Sequence, residues 1–337
     1  MRKYILLFFL MLLPIHGWAH PDVKSEKKVI VAYLTSWSDV IPDPAYITHI
    51  NYAFGHVNDQ FNGVRIDNEE RLKQIVALKK DNPHLQVLLS IGGWGSGCFS
   101  EMAADETTRK QFATDCKRVV EEFHLDGIDM DWEYPTSIVG GISASPEDTH
   151  NFTLLMKGIR NAIGKDKLLT FASVSTAEYV DFRAVDPYVD FVNIMAYDMA
   201  MPPKHHAPLF RSDRAGHITV EEAVNYHLEA GVPATKLVLG MPFYGKGDRG
   251  VIGPMDFKDL EMQTTYEVKW DDVAKVPYLI NDKGEFICTF ENQHSIANKS
   301  RFIKKRGLLG GMYWEYRGDN EVGTLRQTVY DELNDLR

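Results

Sequence analysis

Residues 126–135 read Asp-Gly-Ile-Asp-Met-Asp-Trp-Glu-Tyr-Pro, and this stretch decides how the rest of the chain is interpreted. Within it, Asp129, Asp131 and Glu133 alternate with apolar residues. In a β-strand, alternate side chains lie on the same face and recur about every 6.6 Å. The pattern therefore predicts a strand with three carboxyl groups in a row on one face and apolar side chains on the other.

The apolar side chains of Ile128, Met130 and Trp132 indicate that this strand is buried. Carboxyl groups crowded together in a poorly solvated place cannot all ionise, so we expect at least one raised pKa and a proton shared between neighbours. A carboxylic acid that stays protonated near neutral pH can cleave a glycosidic bond. A calcium-binding or solvated acidic loop is the alternative, but calcium loops need glycine-rich turns and have no buried apolar face.

Strand-like and helix-like segments alternate along the chain after residue 28. Apolar and β-branched runs predict eight strands, at 29–35, 48–54, 86–91, the acidic stretch, 168–174, 190–196, 236–241 and 308–314. Eight βα units without a tandem repeat are typical of a (β/α)8 TIM barrel. A chain of 337 residues can form one such barrel.

The helices between these strands have recognisable patterns. Over 106–123 the apolar residues recur on one face, which predicts a helix packed on the core. Thr219 and Glu222 have the spacing of a capping box at the start of another helix. A final helix is predicted to contain Val322 and Leu325.

The first residues resemble a secretory signal. Residues 1–19 combine a positive start, a short apolar run and a small-residue cleavage site before His20. The apolar run is too short to span a membrane. We therefore predict a signal peptide over 1–19, a catalytic domain over 20–337, and export to the periplasm or the medium.

Charge and cysteine content exclude several classes of partner. The net charge is −10, or −12 once the two positive charges of the leader are removed, and no Lys/Arg run is present, so we expect no nucleic-acid or membrane partner. Cys98, Cys116 and Cys288 are too few for a disulfide scaffold, and Cys116 is predicted to be buried. There is no CxxC or HExxH motif, so no metal or cofactor is expected.

The spacing of the four acids from Asp126 to Glu133 resembles the D-x-x-D-x-D-x-E signature of glycoside hydrolase family 18, the chitinases and their relatives. Further motifs at the ends of predicted strands match the family: Ser90-x-Gly92-Gly93, Met195-Ala196-Tyr197-Asp198, Gly240-Met241-Pro242-Phe243-Tyr244-Gly245 and Gly311-Met312-Tyr313-Trp314-Glu315. The Tyr-Asp-Asp that the family often has before its last helix is not matched by residues 290–292, so no role is transferred there.

The resemblance implies a substrate-assisted retaining mechanism, in which the 2-acetamido oxygen of the substrate attacks C1 and forms an oxazolinium ion. Glu133 would then be the general acid and would later activate water. Asp131 would hold the acetamido N–H and stabilise the oxazolinium ion, while Asp129 would share its proton. Tyr197 would donate to the acetamido oxygen, and Asp126 is expected to be structural.

Substrate contacts are expected at the carboxyl ends of the strands, where barrel sites lie. Trp314 is expected to form the hydrophobic floor under the sugar, with Met195 as a wall and Asp198 as a contact to the same sugar. Gly93 is expected to make room where backbone and substrate come close. Further candidates are Tyr33, Trp37, Phe54, Trp94, Tyr134, Tyr244 and Trp270.

The segment between the seventh and eighth predicted strands is longer than the others, and residues 246–288 in it have mixed patterns. Many chitinases carry a small α+β insertion at this point, which walls one side of the groove. The resemblance therefore implies a shortened insertion of that kind and a shallower cleft.

The leading hypothesis is an exported chitinase that cleaves β-1,4 bonds of N-acetylglucosamine polymers or oligomers. One alternative is an endo-β-N-acetylglucosaminidase that acts on N-glycan cores. The other is a non-catalytic chitin-binding lectin, but such relatives usually lose one of the acids that this chain retains. Endo or exo action, chain-length preference, oligomeric state and the state of the three cysteines stay open.

Overall fold

The computed structural model describes residues 28–248 and 250–336, so the predicted leader at 1–19 lies outside the described residues. The strands within them are β1 (Val29–Thr35), β2 (His49–Val57), β3 (Val64–Ile66), β4 (Gln86–Gly92), β5 (Gly127–Asp131), β6 (Leu168–Val174), β7 (Phe191–Met195), β8 (Leu237–Pro242), β9 (Tyr244–Gly247), β10 (Met255–Asp256), β11 (Glu267–Asp271), β12 (Val276–Ile280), β13 (Phe286–Thr289) and β14 (Gly310–Trp314). The α-helices are α1 (Glu69–Ala77), α2 (Phe99–Ala104), α3 (Glu106–Glu122), α4 (Asp148–Ile163), α5 (Phe182–Val185), α6 (Val220–Ala230), α7 (Phe257–Met262), α8 (Gln293–Lys305) and α9 (Thr324–Leu333).

Eight of the described strands are parallel and close into a barrel, in the order β1-β2-β4-β5-β6-β7-β8-β14. Closure is made by β14 against β1, where Gly310 lies opposite Val29. Helices lie between successive strands, and short β3 pairs antiparallel with the end of β2. The prediction of a (β/α)8 TIM barrel is confirmed.

Strand β5 has the two faces that its sequence predicts. Trp132 is buried and stacks on Phe99 with ring centroids 5.3 Å apart, while Asp129 and Asp131 are buried on the other side. Asp126 accepts a hydrogen bond from the Val87 backbone N–H at 2.7 Å, so it ties the start of β5 to β4. The strand ends at Asp131, opposite Gly92 of β4, so Glu133 lies in the following loop rather than in the strand.

The structure confirms the predicted start of one helix, α6, and moves the start of another, α9. Thr219 and Glu222 form the predicted capping box at the start of α6. The last helix begins at Thr324, and Val322 lies before it with 72% of its surface exposed, so its predicted place in the helix is wrong. The side chain of Asp319 accepts hydrogen bonds from the backbone N–H groups of the helix's first turn, which fixes the start after Val322.

Five described strands form a second, antiparallel sheet in the order β10-β9-β13-β12-β11. It lies between β8 and β14, begins at Tyr244 and ends at Thr289, and includes the short helix α7. Its own small apolar core consists of Leu260, Leu279, Ile287, Cys288 and Phe290. The predicted insertion at 246–288 therefore corresponds to most of this antiparallel sheet, which follows β8 directly in the chain.

The cysteines of the described chain are free thiols. Cys116 and Cys288 are buried and Cys98 is partly exposed. Burial raises the pKa of Cys288 to about 12, which keeps it protonated and unreactive. Between residues 28 and 336, Arg249 apart, no cluster of His, Cys, Asp and Glu could hold a metal ion. In the same part of the chain, no helix is both long and apolar enough to cross a membrane.

Candidate active site

A cavity of about 290 Å³ opens at the carboxyl ends of the barrel strands, and we call it the acidic pocket. It is lined by Tyr33, Trp37, Phe54, Trp94, Asp131, Glu133, Ala172, Met195, Tyr197, Asp198, Tyr244 and Trp314. Barrel closure thus brings together most of the predicted site residues, although they are far apart in sequence. Asp129 is fully buried, two residues before Asp131 along β5.

Asp129 is the most constrained of the three acids. Each of its carboxylate oxygens accepts two hydrogen bonds, from Tyr33 (2.8 Å) and Ser90 (2.8 Å) at Oδ2 and from Thr170 (2.6 Å) and Asn193 (3.1 Å) at Oδ1. Burial raises its pKa and these hydrogen bonds oppose that rise. That Asp129 shares a proton with its neighbour stays a prediction.

Asp131 is buried without a full set of partners. Only 4% of its surface is exposed, and its Oδ1 has no hydrogen-bond partner among residues 28–248 and 250–336. Burial and the nearby charges of Glu133 and Asp129 raise its pKa well above the usual value. An unpaired, buried carboxyl group of this kind favours its protonated form, unless a ligand supplies a donor.

Glu133 is the last of the three alternating acids and lines the acidic pocket. Burial raises its pKa to about 7, against the hydrogen bond from Tyr134 and with the help of the negative charge on Asp198. The charge of Glu133 in turn helps to raise the pKa of Asp131, so at least one of these two carboxyl groups holds a proton near neutral pH. The site therefore contains an acid that can donate a proton at neutral pH.

Asp198 has the opposite electrostatic environment. The Tyr244 hydroxyl donates to its Oδ1 at 2.6 Å, and Lys246 Nζ lies 2.8 Å from its Oδ2. His206 Nδ1 is 3.5 Å from Oδ1, too far for a strong hydrogen bond. Burial raises the pKa of Asp198, but His206 and Lys246 outweigh that effect and lower it to about 2. Asp198 is thus ionised, and both of its oxygens are occupied.

Aromatic rings form the floor and the rim of the acidic pocket. Trp314 packs against Phe54 and Tyr33, with ring centroids 5.7 Å away in each case. Trp37 and Trp94 lie at the rim with 59% and 63% of their surfaces exposed. Exposed indole rings beside a cavity are available to a ligand, and the flat faces of sugars pack well on such rings.

The sequence model of the family described as "Glycosyl hydrolases family 18" matches residues 29–319. This chain belongs to glycosyl hydrolase family 18. The match includes all eight strands of the barrel and the three acids of β5 and the loop after it. It places the protein among the glycoside hydrolases.

Named relatives agree with this family. The chain is 32% identical to Chitinase A1 of Niallia circulans, over 90% of this chain but only 58% of that protein, and so spans less than two thirds of it. It is 31% identical to Chitotriosidase-1 of Mus musculus, over 91% of this chain and 77% of the relative. The solved structure of a family 18 N-acetylglucosaminidase from Paenibacillus barengoltzii superposes with a TM-score of 0.83 at 33% identity, over 90% of this chain and 99% of that one.

In this family 18 protein, Tyr134, a predicted substrate contact, is not part of the lining of the acidic pocket. Its ring stacks on Tyr179 with centroids 5.3 Å apart. The Tyr134 hydroxyl lowers the pKa of Glu133 against the effect of burial. Tyr134 therefore influences the acid, and its own contact with substrate stays a prediction.

Two other candidates, Gly93 and Trp270, lie outside the lining of the acidic pocket. Gly93 has φ +92°, and a Cβ there would lie 2.7 Å from the Phe54 ring, so the glycine makes room for Phe54; it lines the cavity next to the acidic pocket, and its contact with substrate stays a prediction. Trp270 lies on β11 of the second sheet and stacks on His294 at 4.4 Å, outside the pocket. Sequence alone does not show which ring occupies which space, so neither placement could be predicted.

Lys246, Thr170 and Asn193 are functional candidates that the sequence patterns did not reveal. Thr170 and Asn193 are single polar residues in apolar strands, and they donate to Asp129 from β6 and β7. Lys246 follows directly after Gly245 of the matched motif, and this adjacency is the signal that could have indicated it.

Proposed function

We propose that this protein is an exported, retaining chitinase that cleaves β-1,4 bonds between N-acetylglucosamine units through an oxazolinium intermediate. The observation that carries the proposal is the state of the pocket's carboxyl groups. Glu133 has a pKa of about 7, and both oxygens of Asp129 and of Asp198 already accept hydrogen bonds or an ion pair. Asp131 keeps one buried oxygen without a donor among the described residues. One protonated acid beside a carboxyl group that lacks a donor suits a substrate whose acetamido group supplies both the missing N–H and the nucleophile.

Glu133 provides the proton for bond cleavage. Its side chain lines the acidic pocket, and its raised pKa keeps a useful fraction protonated at neutral pH. In the first step it protonates the leaving glycosidic oxygen, and the resulting carboxylate then removes a proton from the attacking water. The Tyr134 ring is stacked on Tyr179, and its hydroxyl moderates the rise in the pKa of Glu133 that burial causes.

Asp131 and Tyr197 orient the acetamido group. When substrate binds, its acetamido N–H supplies the donor that the unpartnered oxygen of Asp131 lacks, which favours the ionised form of Asp131, and this charge stabilises the positive oxazolinium ion. Burial and the charge of Asp131 raise the pKa of Tyr197, so its hydroxyl stays protonated and can donate to the acetamido oxygen. Trp314 supplies the flat surface beneath the sugar ring.

The test compares Glu133→Gln with the wild type on chitotetraose. We expect kcat to fall at least about a hundredfold while binding of the oligomer is retained, because the amide keeps the shape but donates no proton to the leaving oxygen. Glu121→Gln is the matched control, since Glu121 is an exposed glutamate on α3. Near-normal turnover by the Glu133 variant would remove it as the acid.

Release of single terminal N-acetylglucosamine units is a second candidate, because the similar structure from Paenibacillus barengoltzii is described as an N-acetylglucosaminidase. Chitotetraose separates the two by its products, which are mainly dimers for a chitinase and monomers for the second candidate. A parallel digest of a high-mannose glycoprotein tests the endo-β-N-acetylglucosaminidase alternative. Binding of chitin without turnover by the wild type would support the lectin.

Export is proposed from residues 1–19, which lie outside the described residues. If this leader is removed after Ala19, the mature protein begins at His20. N-terminal sequencing of protein recovered from the periplasm or the medium of an expressing bacterium tests this start. An unprocessed N-terminus on protein found only in the cytoplasm would contradict export.

A further inference from the structure

A second cavity, of about 460 Å³, lies next to the acidic pocket, and we call it the outer pocket. The two cavities share Trp37, Phe54 and Trp94 in their linings. The remaining lining of the outer pocket includes His56 of β2 and the loop 93–98 between β4 and α2. A chain that leaves the acidic pocket past Trp37 and Trp94 enters this space.

The loop that carries Trp94 has a backbone with few intrinsic restraints. Glycines occupy positions 92, 93, 95 and 97, and Gly93 and Gly95 have φ angles of +92° and +76°. Trp94 itself is 63% exposed, and among the described residues no aromatic ring packs against it. Its position in the cleft is therefore set by whatever holds the loop backbone.

Three hydrogen bonds hold this loop. The Gly93 backbone N–H donates to the Asp131 carbonyl at 2.9 Å, and the Ser96 N–H donates to the Gly93 carbonyl at 3.0 Å. The third joins the Ser96 hydroxyl to His56 Nδ1 at 2.8 Å, across the outer pocket. This third bond ties the far side of the loop to β2, beyond Trp94.

His56 is itself oriented by a carboxylate. Its Nε2 lies 2.9 Å from Asp67 Oδ2, and the Asp67 backbone N–H donates to the Phe54 carbonyl at 3.0 Å. Because the carboxylate can only accept, Nε2 carries the proton and Nδ1 accepts from the Ser96 hydroxyl in the neutral ring. The loop is thus tied through His56 to the strand end that presents Phe54 to the acidic pocket.

We propose that His56 is a positioning residue for Trp94. By holding Ser96, it keeps the indole at the junction of the two cavities, so that sugar units entering the outer pocket can pack on it. His56 thereby sets the affinity for longer chains without touching the bond that is cleaved. This inference rests on the proposed action on N-acetylglucosamine oligomers.

The experiment compares chitohexaose with chitotriose for His56→Ala and Ser96→Ala. Each variant is expected to raise KM for chitohexaose about tenfold, the effect of losing one aromatic contact, with kcat within about twofold. KM for chitotriose should change less, because a short oligomer can be cleaved without filling the outer pocket. His84→Ala is the matched control, since His84 is an exposed histidine bonded to the Pro44 carbonyl, away from both pockets.

A double variant tests whether His56 acts through Trp94. Once Trp94→Ala has removed the indole, adding His56→Ala should raise KM for chitohexaose by less than about twofold. If the KM increases of His56→Ala and Trp94→Ala multiply in the double variant, the proposal is overturned. It is also overturned if His56→Ala raises KM equally for chitohexaose and chitotriose. A purely structural role for His56 would lower the midpoint of urea unfolding without this dependence on Trp94.

A measurement without sugar separates this inference from the proposed function. Acrylamide quenching of the Trp94 emission, taken as the difference between wild type and Trp94→Phe, should increase in His56→Ala because the loop is released. If the wild type cleaves none of the oligomers, the proposed function fails, and the quenching result alone decides whether His56 holds the loop. If the wild type is active and His56→Ala matches it in both quenching and KM, only the present inference is overturned.

Discussion

Glu133 must carry a proton when the glycosidic bond breaks, and its environment decides at which pH it does so. Burial disfavours the charged form and raises its pKa to about 7, so the acid is protonated below that pH and ionised above it. We expect kcat/KM on chitotetraose to fall as the pH rises through about 7. A pH–rate profile of the wild type measures this alkaline limb.

The variant Tyr134→Phe tests whether the alkaline limb of the pH–rate profile reports the ionisation of Glu133. The Tyr134 hydroxyl lowers the pKa of the acid, so its removal should shift the alkaline limb to higher pH while the stack on Tyr179 is kept. Tyr179→Phe serves as the control, because it keeps both rings and the hydroxyl of Tyr134. An alkaline limb that stays in place in Tyr134→Phe would mean that another group sets it.

Lys246 holds Asp198 in its ionised form, and its removal should appear on the acidic side of the profile. Without the ammonium group 2.8 Å from Oδ2, the pKa of Asp198 should rise from about 2, so this carboxylate becomes protonated at higher pH. For Lys246→Met we expect kcat to fall about tenfold, as for loss of a charge-assisted hydrogen bond, and the acidic limb to move upward. Lys246→Arg keeps the positive charge and should preserve both kcat and the position of the acidic limb. If the acidic limb does not move in Lys246→Met, Lys246 does not control the ionisation of Asp198.

At the scale of single residues, the sequence predicted those parts of the site that belong to a single strand, β5. The alternation of acids in β5 placed Asp129 and Asp131 on one buried face without any knowledge of their neighbours. The donors to Asp129 could not be predicted, because Thr170 and Asn193 reach it only once the barrel has closed. The role of Gly93 depends in the same way on Phe54, which belongs to another strand.

At the scale of elements, periodicity located the strands and helices better than it located their ends. Strand β5 stops at Asp131 because its pairing with β4 ends there, and that pairing is not local information. The start of α6 was predictable, since its capping box is contained in Thr219 and Glu222. The start of α9 was not, because Asp319 caps it from outside the helical pattern.

Helix α8 is joined to the residue Glu291 before it by an ion pair that no pattern indicated. Lys299 and Glu291 form a salt bridge in which both side chains are fully buried. Removing one partner leaves an uncompensated buried charge, so Lys299→Met should lower the free energy of unfolding by about 3–5 kcal/mol. Urea denaturation followed by circular dichroism measures the change.

The double variant Lys299→Met/Glu291→Leu identifies the cause of that loss. Replacing both charges with apolar side chains removes the unpaired carboxylate, so much of the lost stability should return. Lys305→Met, on an exposed position of the same helix, should change the free energy of unfolding by less than about 0.5 kcal/mol. A double variant as unstable as the single one would show that packing, and not the buried charge, is responsible.

At the scale of the whole molecule, the barrel was predictable because its eight units repeat one simple alternation of strand and helix. The second sheet was predictable only as an interruption of that alternation between β8 and β14. Its strands are short and β10 has two residues, so no period marks them in the sequence. Trp270 was misplaced for this reason, since the pairing of β11 with β12 directs it to His294.

The separate core of the second sheet implies that the two parts differ in local stability. Cys288 lies in this small core and Cys116 in the large barrel core, so partial opening of the sheet should expose Cys288 first. Pulse alkylation at increasing urea, read by mass spectrometry, should label Cys288 at lower urea than Cys116, with partly exposed Cys98 labelled throughout. Labelling of Cys288 and Cys116 at the same urea concentration would show that barrel and sheet unfold as one unit.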